Sequence, residues 1–114
     1  STQGVSSAAS DVYKRQEGDY MIIINAKLKI KEDVRNDYLD LMNKLVQSSR
    51  QEPGNTFYAH YEDVAEHNTF VVVENYKDQE AVQAHNHSDH FKAFSENIGK
   101  YVAEEPVIDV AETK

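Results

Sequence analysis

The segment TFVVVENYKDQEAVQAHNHSDHFKAF, residues 69–94, changes its hydrophobic period near Tyr76. Before Tyr76 the β-branched and aromatic residues are typical of a strand. Asp78 and Ser88 then stand where helix N-caps are expected, each ahead of apolar residues at helical spacing. The segment therefore predicts one strand followed by two capped helical segments, the first running from Asp78 through His85.

The sequence on both sides extends this pattern. NTFYAHYE, residues 55–62, is aromatic-rich and close enough to the strand at residue 69 to form a hairpin, whose register the sequence does not fix. MIIINAKLKIK, residues 21–31, alternates like a strand and places Ala26 and Leu28 on one face. Asp33 is predicted to cap a helix that ends before Pro53, and PVIDVAE, which begins at Pro106, reads as a closing strand.

The predicted order is strand, helix, strand, strand, helix, strand. This βαββαβ order is the split βαβ arrangement of ferredoxin-like α+β domains, an antiparallel four-stranded sheet with both helices on one face. The runs MIII and FVVV, residues 21–24 and 70–73, are apolar at consecutive positions that face opposite sides of the sheet. Because helices on one face leave the other uncovered, we predict a homodimer in which a second sheet covers it.

Length and composition restrict the class of protein. The 114 residues suffice for one domain, and the absence of cysteine removes disulfides and thiolate metal sites. No secretory signal is evident, so a cytoplasmic location is expected. The net charge of −8 disfavours nucleic acid and anionic membrane surfaces as partners.

The first 20 residues differ from the rest because they lack apolar periodicity. SDVYKRQ, residues 10–16, resembles an in-frame translation of the mosaic-end DNA that a cut-and-paste transposase recognises. We therefore predict a cloning-derived or disordered leader over residues 1–20 and a folded domain over residues 21–114 that starts at Met21.

Three of the five histidines, His85, His87 and His90, fall within six residues. On one continuous helix His85 and His87 would point about 200° apart, and His85 and His90 about 140° apart. The spacing also matches no helical zinc pair, so we predict no metal site. His87 is expected in solvent and His90 in the first turn of a helix, whereas His85 has either a pocket or a surface position.

Several other polar residues have two interpretations each. Glu74 either emerges into water at the end of its strand or enters a cavity, where burial would raise its pKa. Asn25 either faces solvent or donates a hydrogen bond to a ligand. Tyr58 and His60 share a face of their strand and could belong either to the solvent-facing residues or to the ligand-binding ones. Two or more of these side chains converging would make a site.

A resemblance to a known family rests on three stretches. Asn25 in the first strand, PGNTFYAHYED after the first helix, and ENYKDQEAVQAHNHSDHFKAF resemble the antibiotic biosynthesis monooxygenase superfamily over essentially all of residues 21–114. The most specific part is Glu74 through Tyr76, the A-x-x-x-H that ends at His85, and residues 88–91. The resemblance implies a dimeric ferredoxin-like α/β barrel. It also implies oxidation of a phenolic or quinol-type substrate by O2 with neither metal nor flavin as cofactor.

The same resemblance implies roles for the candidate residues. His85 or Glu74 would be the catalytic base, and Asn25 and Tyr76 would orient the substrate oxygen. The remaining substrate-binding candidates are Tyr58, His60, His90 and Phe91, with Phe94 beside them. Phe91 and Phe94 can equally be ordinary core residues at helical spacing.

Two alternatives belong to other functional classes. YKDQEAVQAH is similar to a branch of the superfamily that processes a phosphorylated signalling sugar by an isomerase-type step, which needs a phosphate-binding cation, and Arg35 and Arg50 are the candidates. The other alternative is a non-catalytic dimeric module that binds a small ligand. The haem-degrading branch is disfavoured, because Tyr76 occupies the position of its tryptophan and the chain has no tryptophan.

Overall fold

The computed structural model describes residues 20–113. Nearly all of the predicted leader, residues 1–19, lies outside this range, and its origin stays a prediction. The elements are β1 (Ile22–Lys29), a short 3-10 helix (Glu32–Val34), α1 (Arg35–Ser49), β2 (Asn55–Glu62), β3 (Thr69–Tyr76), α2 (Gln79–Asn86), α3 (Asp89–Ile98) and β4 (Val107–Glu112).

The four strands form one antiparallel sheet in the order β2-β3-β1-β4. This order confirms the ferredoxin-like α+β fold. The hairpin of β2 and β3, whose register the sequence left open, pairs Tyr58 with Glu74 and has an irregularity between Asn55 and Phe57. On the other side of β3, Glu74 lies opposite Ile24 of β1, which in turn pairs with Val110 of β4.

The core lies between the sheet and the helices. α1 packs its apolar face on the sheet, since Tyr38, Met42 and Leu45 are buried against Phe70 and Val72 of β3. α3 completes this layer with half-buried Phe91, Phe94 and Ile98. None of the helices within residues 20–113 has the length and hydropathy needed to cross a membrane.

Two of the three predicted helix caps are confirmed. The Asp78 carboxylate accepts from the Ala81 N–H at 2.8 Å, and the Ser88 hydroxyl accepts from the Phe91 N–H at 3.2 Å. The prediction for Asp33 is wrong, because this residue lies inside the 3-10 helix and α1 begins two residues later. The start of α1 is fixed instead by Arg35, whose guanidinium donates to both carboxylate oxygens of Glu62 at 2.6 and 2.7 Å.

The face of the sheet away from the helices is uncovered in the single chain. Phe57 and Tyr61 of β2 and Val107 of β4 are 43%, 54% and 55% exposed. Tyr61 of β2 lies opposite half-buried Val71 of β3. Val71 lies opposite Lys27 of β1, and Lys27 lies opposite Val107 of β4. We call this surface the outer sheet face. Its apolar character agrees with the expectation that both faces of the sheet carry apolar residues.

Candidate active site

A cavity of about 480 Å³ lies between the sheet and the helices. Its walls are mainly apolar, and no lysine or arginine lines it. The polar side chains at its surface are those of Tyr58, Glu74, Gln79, His85, Asn86 and Ser95. This volume and this composition suit a small, largely apolar ligand held by a few polar contacts.

The sequence left His85 with either a pocket or a surface position, and the structure places it in the pocket. It lies in the last turn of α2, on the face that carries buried Ala81 and Val82, and is 2% exposed. Three aromatic rings surround the imidazole, with centroids 4.9 Å away for Phe91, 5.4 Å for Tyr76 and 5.7 Å for Tyr58. The cap at Asp78 and the packing of this face direct the imidazole into the cavity wall.

The two ring nitrogens of His85 have different surroundings. Nδ1 lies 2.8 Å from the Oε2 atom of Glu52, a residue in the loop between α1 and β2. Nε2 is buried without a hydrogen-bond partner among residues 20–113, and the nearest carboxylate oxygen, Oε1 of Glu74, is 3.9 Å away. Nε2 is therefore the ring nitrogen left without a hydrogen bond among the described residues.

Glu74 enters the cavity instead of emerging into water. It is 8% exposed, and its Oε1 atom accepts a hydrogen bond of 3.0 Å from the Tyr76 hydroxyl. Burial raises the pKa of Glu74 to about 7, with a smaller contribution from the Glu52 charge, whereas the Tyr76 hydrogen bond acts in the opposite direction. This carboxyl group can therefore exchange a proton near neutral pH.

Burial acts on the imidazole in the opposite sense. It lowers the pKa of His85 below the usual 6.5, and Glu52 opposes this shift by hydrogen bond and charge. His85 is consequently a neutral imidazole at pH 7 and can accept a proton there.

The structure does not bring Asn25 and His60 into the cavity. Asn25 is exposed on the outer sheet face, because its neighbours Ile24 and Ala26 point to the cavity and alternate side chains face opposite ways. His60 shares a face with Tyr58 but lies two residues further along β2. There its ring stacks on Phe70, and its Nε2 atom is 2.8 Å from the Tyr38 hydroxyl. For both residues, contact with a ligand in this cavity would require a different arrangement.

Tyr76, His90 and Phe91 have distinct places around the cavity. The Tyr76 hydroxyl is committed to Glu74 and does not face the cavity, so this residue supports the wall from behind. His90 lies in the first turn of α3, as predicted, and its Nε2 atom contacts Oε2 of Glu52.

Phe91 lines the cavity with Tyr58, and Phe94 lies next to it. His87 is exposed, as predicted.

Glu52 is the site residue that sequence reasoning missed. Its side chain is 13% exposed, and its Oε2 atom lies between His85 and His90, which follow 33 and 38 residues later. The loop sequence QEPGN has no periodic pattern that would place a carboxylate in the interior. Only the folded chain shows this contact.

Glu52, His85 and His90 have donor atoms within 4.8 Å of one another. Two histidines and one carboxylate are a set that divalent metals use. The 2.8 Å between His85 Nδ1 and Glu52 Oε2 is nevertheless a hydrogen-bond distance. Atoms bound to one ion at about 2.1 Å stand roughly 3 Å or more apart. The arrangement is that of a hydrogen-bonded cluster, which we call the Glu52 cluster.

Comparison with known proteins places the chain in context. The sequence model of a family described as antibiotic biosynthesis monooxygenase matches residues 21–97. The chain is 40% identical over 94 residues to the Bacillus subtilis protein named "Putative monooxygenase YcnE", which covers 82% of this chain and 97% of that protein.

Solved structures show the same fold. A protein from Caulobacter crescentus described as a "putative antibiotic biosynthesis monooxygenase" is 26% identical, with a TM-score of 0.79 over 84% of this chain and 92% of that chain. A conserved protein from Methanosarcina mazei is 23% identical, with a TM-score of 0.80 over 85% of this chain and 96% of that chain. The second likeness concerns the fold alone.

Proposed function

Because the chain belongs to the antibiotic biosynthesis monooxygenase family, we propose that it is a monooxygenase that oxidises a small phenolic or quinol-type substrate with O2. We propose further that the reaction uses neither metal nor flavin. The observation that carries this proposal is the position of His85 Nε2 and Glu74, two proton-exchanging groups 3.9 Å apart, at the wall of a mainly apolar cavity.

The chemistry needs a base and a dry cavity. When His85 Nε2 removes the proton of a phenolic hydroxyl, the resulting phenolate or carbanion is electron-rich enough to pass an electron to O2. One oxygen atom then enters the ring, the other leaves as water, and the substrate supplies the electrons for both. The apolar walls exclude water from the reactive intermediate, and burial of the substrate fixes its orientation.

His85 is the favoured base because it is neutral at pH 7, lines the cavity and has no hydrogen-bond partner for Nε2 among the described residues. Glu74 is the second candidate, since burial gives it the pKa near 7 that a carboxylate base requires. In its neutral form the Glu74 carboxyl can instead donate a hydrogen bond to the substrate oxygen. Tyr58, Phe91 and Phe94 would contact the faces and edges of an aromatic ring.

The charges of the cavity weigh against a phosphorylated sugar. Arg35 is held by Glu62 and Asn68, and the Arg50 guanidinium donates to the Tyr58 carbonyl oxygen at 2.8 Å. Neither arginine lines the cavity, and the wall contains the Glu74 carboxyl group where a phosphate would need cations.

We also propose that the protein works as a homodimer joined through the outer sheet face. The support is the row of exposed apolar side chains there, which helices of the same chain do not cover. Sheet-on-sheet packing is a standard way to bury such a surface.

Oxygen uptake by the purified protein with a panel of quinols tests the proposed reaction. Replacing His85 with Ala should lower turnover by about 10²–10⁴, the usual worth of a general base. His87→Ala is the matched control, because this histidine is exposed only two residues after His85 and should be replaceable without loss. Chelation with EDTA should leave the rate unchanged.

Four results would contradict the proposal in different ways. Loss of activity on chelation would show that a metal takes part. Equal damage by the two histidine variants would remove the special role of His85. Absence of oxygen uptake, together with thermal stabilisation by the same quinols, would identify a binding module, and stabilisation by phosphosugars alone would favour the isomerase-type alternative.

A further inference from the structure

We infer that Glu52 is a positioning residue of this site, which holds the His85 imidazole in the tautomer that leaves Nε2 without hydrogen on the side of Glu74. This inference rests on the proposed role of His85 as the base. It assigns no contact between Glu52 and the substrate, because Glu52 does not line the cavity.

The tautomer follows from the hydrogen bonds. A carboxylate carries no hydrogen, so each nitrogen that approaches Oε2 of Glu52 must donate. His85 Nδ1 therefore carries the hydrogen of its 2.8 Å contact, and a neutral His85 has a lone pair at Nε2. That atom is the buried one without a partner among the described residues, 3.9 Å from Glu74. Without Glu52, the tautomer with hydrogen on Nε2 would gain a partner in Glu74.

His90 contributes by holding Glu52. Its Nε2 atom donates to the same oxygen, and its side chain is 25% exposed, so it covers the carboxylate on the solvent side. The chain of contacts thus runs from the buried imidazole through the carboxylate to the surface.

The loop around Glu52 is fixed by the backbone. The Glu52 N–H donates to the Ser49 carbonyl oxygen at 3.1 Å, and the Glu52 carbonyl oxygen accepts from the Asn55 N–H at 3.1 Å. The Lys77 N–H donates to the Gly54 carbonyl oxygen at 2.9 Å, which joins the loop to the end of β3. The carboxylate is therefore placed before any substrate binds, as positioning requires.

The charge of Glu52 also acts on His85, in addition to the hydrogen bond. The titratable groups that face His85 are Glu52 from the loop, His90 from α3, Glu74 and Tyr76 from β3, and Tyr58 from β2. Glu52 favours the imidazolium and so opposes the lowering of the His85 pKa by burial. Removing its charge should move the titration of His85 to lower pH.

Imidazole 15N NMR of the labelled full chain tests the inference without any substrate. In the wild type, His85 should have hydrogen on Nδ1 and a bare Nε2. In Glu52→Ala, this pattern should reverse, while the exposed His87 keeps its own. An unchanged His85 tautomer in Glu52→Ala would overturn the inference.

Glu52→Gln gives a second measurement in case the alanine variant does not fold. Its amide oxygen can still accept from Nδ1, but the charge is gone. The titration of His85 should therefore move to lower pH in this variant and that of His87 should not. Equal titration of His85 in the wild type and Glu52→Gln would also overturn the inference.

Turnover provides the link to catalysis. Loss of a group that orients a functional histidine costs about 10–100-fold, so kcat of Glu52→Ala should fall by that factor with KM nearly unchanged, and Glu52→Gln should recover part of it. If the tautomer reverses but no quinol is oxidised by any form, the proposed function fails and the positioning stands.

Titration with Zn²⁺ in the same NMR experiment excludes a different role. If one equivalent of Zn²⁺ binds, removes the Nδ1 hydrogen of His85, and loses its affinity in both Glu52→Ala and His90→Ala, the Glu52 cluster is a ligand set. That result would overturn the inference.

Discussion

At the scale of single residues, the fold changes the acid–base chemistry of the two cavity residues Glu74 and His85 in opposite directions. Both are buried at the same wall, and burial disfavours the charged form of each. The carboxyl group therefore holds its proton up to about pH 7, and the imidazole loses its proton below pH 6.5. Near neutral pH neither group has to carry a charge, which is compatible with an apolar cavity.

Replacement of Glu74 by Gln should stabilise the protein at alkaline pH. Because the folded pKa of about 7 lies above the unfolded value of 4.5, the group's contribution is fully present below pH 4.5 and is lost as pH rises through 7. Glutamine cannot ionise and escapes this loss. The difference in unfolding free energy should grow to about 3 kcal/mol in favour of the variant by pH 8.

Urea unfolding of both proteins at equal concentration, in steps from pH 4.5 to 8, measures this difference. Other titrating groups largely cancel between the two proteins. A difference that does not depend on pH would show that Glu74 ionises as readily in the folded chain as in the unfolded one.

The pH dependence of kcat should identify the base. If neutral His85 is the base, the rate rises with pH through a midpoint below 6.5, and this limb persists in Glu74→Gln. If Glu74 is the base, the midpoint lies near 7 and the limb disappears in that variant. We expect the first outcome, measured as initial oxygen uptake between pH 5 and 8.

At the scale of elements, the site depends on how the loop after α1 packs against α2. Gly54 is buried there, and a Cβ at this position would lie 2.3 Å from the Cβ of Ala81 and 3.3 Å from its Cα. Such close approach allows Glu52, two residues earlier, to reach His85 on the same helix. Glycine is thus required at position 54 because there is no room for a side chain between the loop and α2.

Replacement of Gly54 by Ala should separate the loop from α2. We expect a loss of about 1–3 kcal/mol in unfolding free energy, the usual cost of overpacking, because the α2 backbone must move. Gly99→Ala is the matched control, since nothing lies within 4 Å of a Cβ there and its φ of −59° suits alanine. Denaturant unfolding that gives equal stability for the two variants would show that the loop is not tightly packed.

At the scale of the whole molecule, one sheet face forms the core and the other is uncovered in the single chain. The helix layer buries Tyr58, Phe70 and Val72, whereas Tyr61 and Val107 remain more than half exposed on the outer sheet face. An apolar surface of this kind on a small chain typically marks an interface.

The proposed homodimer should dissociate when a charge enters the middle of that face. Val71→Asp places a carboxylate between Tyr61 and Lys27 of the register, and burying this charge against a second sheet would cost more than its attraction to Lys27 returns. Val64→Asp, in the exposed turn after β2, is the control. Light scattering at micromolar concentration should give about twice 13.0 kDa for the wild type and the control. A wild-type mass of 13.0 kDa would contradict the dimer.

The sequence by itself determined the elements of this protein and their faces. Strand alternation, helical spacing and the caps Asp78 and Ser88 are set by neighbours a few residues apart, so they can be recognised from a short segment. Pairing the elements into a ferredoxin-like sheet needed only their order, because few topologies suit that order. The position of Asn25 on the outer sheet face also follows from alternation, although its resemblance to a site residue pointed the other way.

Only the tertiary structure decided how the site is assembled. His85 and Glu74 have pocket positions because α2 packs on the end of β3, and His60 lies outside because the cavity does not extend that far along β2. Glu52 reaches His85 across 33 residues through a loop without a periodic pattern. Contacts of this kind depend on side-chain packing between elements that are distant in sequence, and no local preference of the chain encodes them.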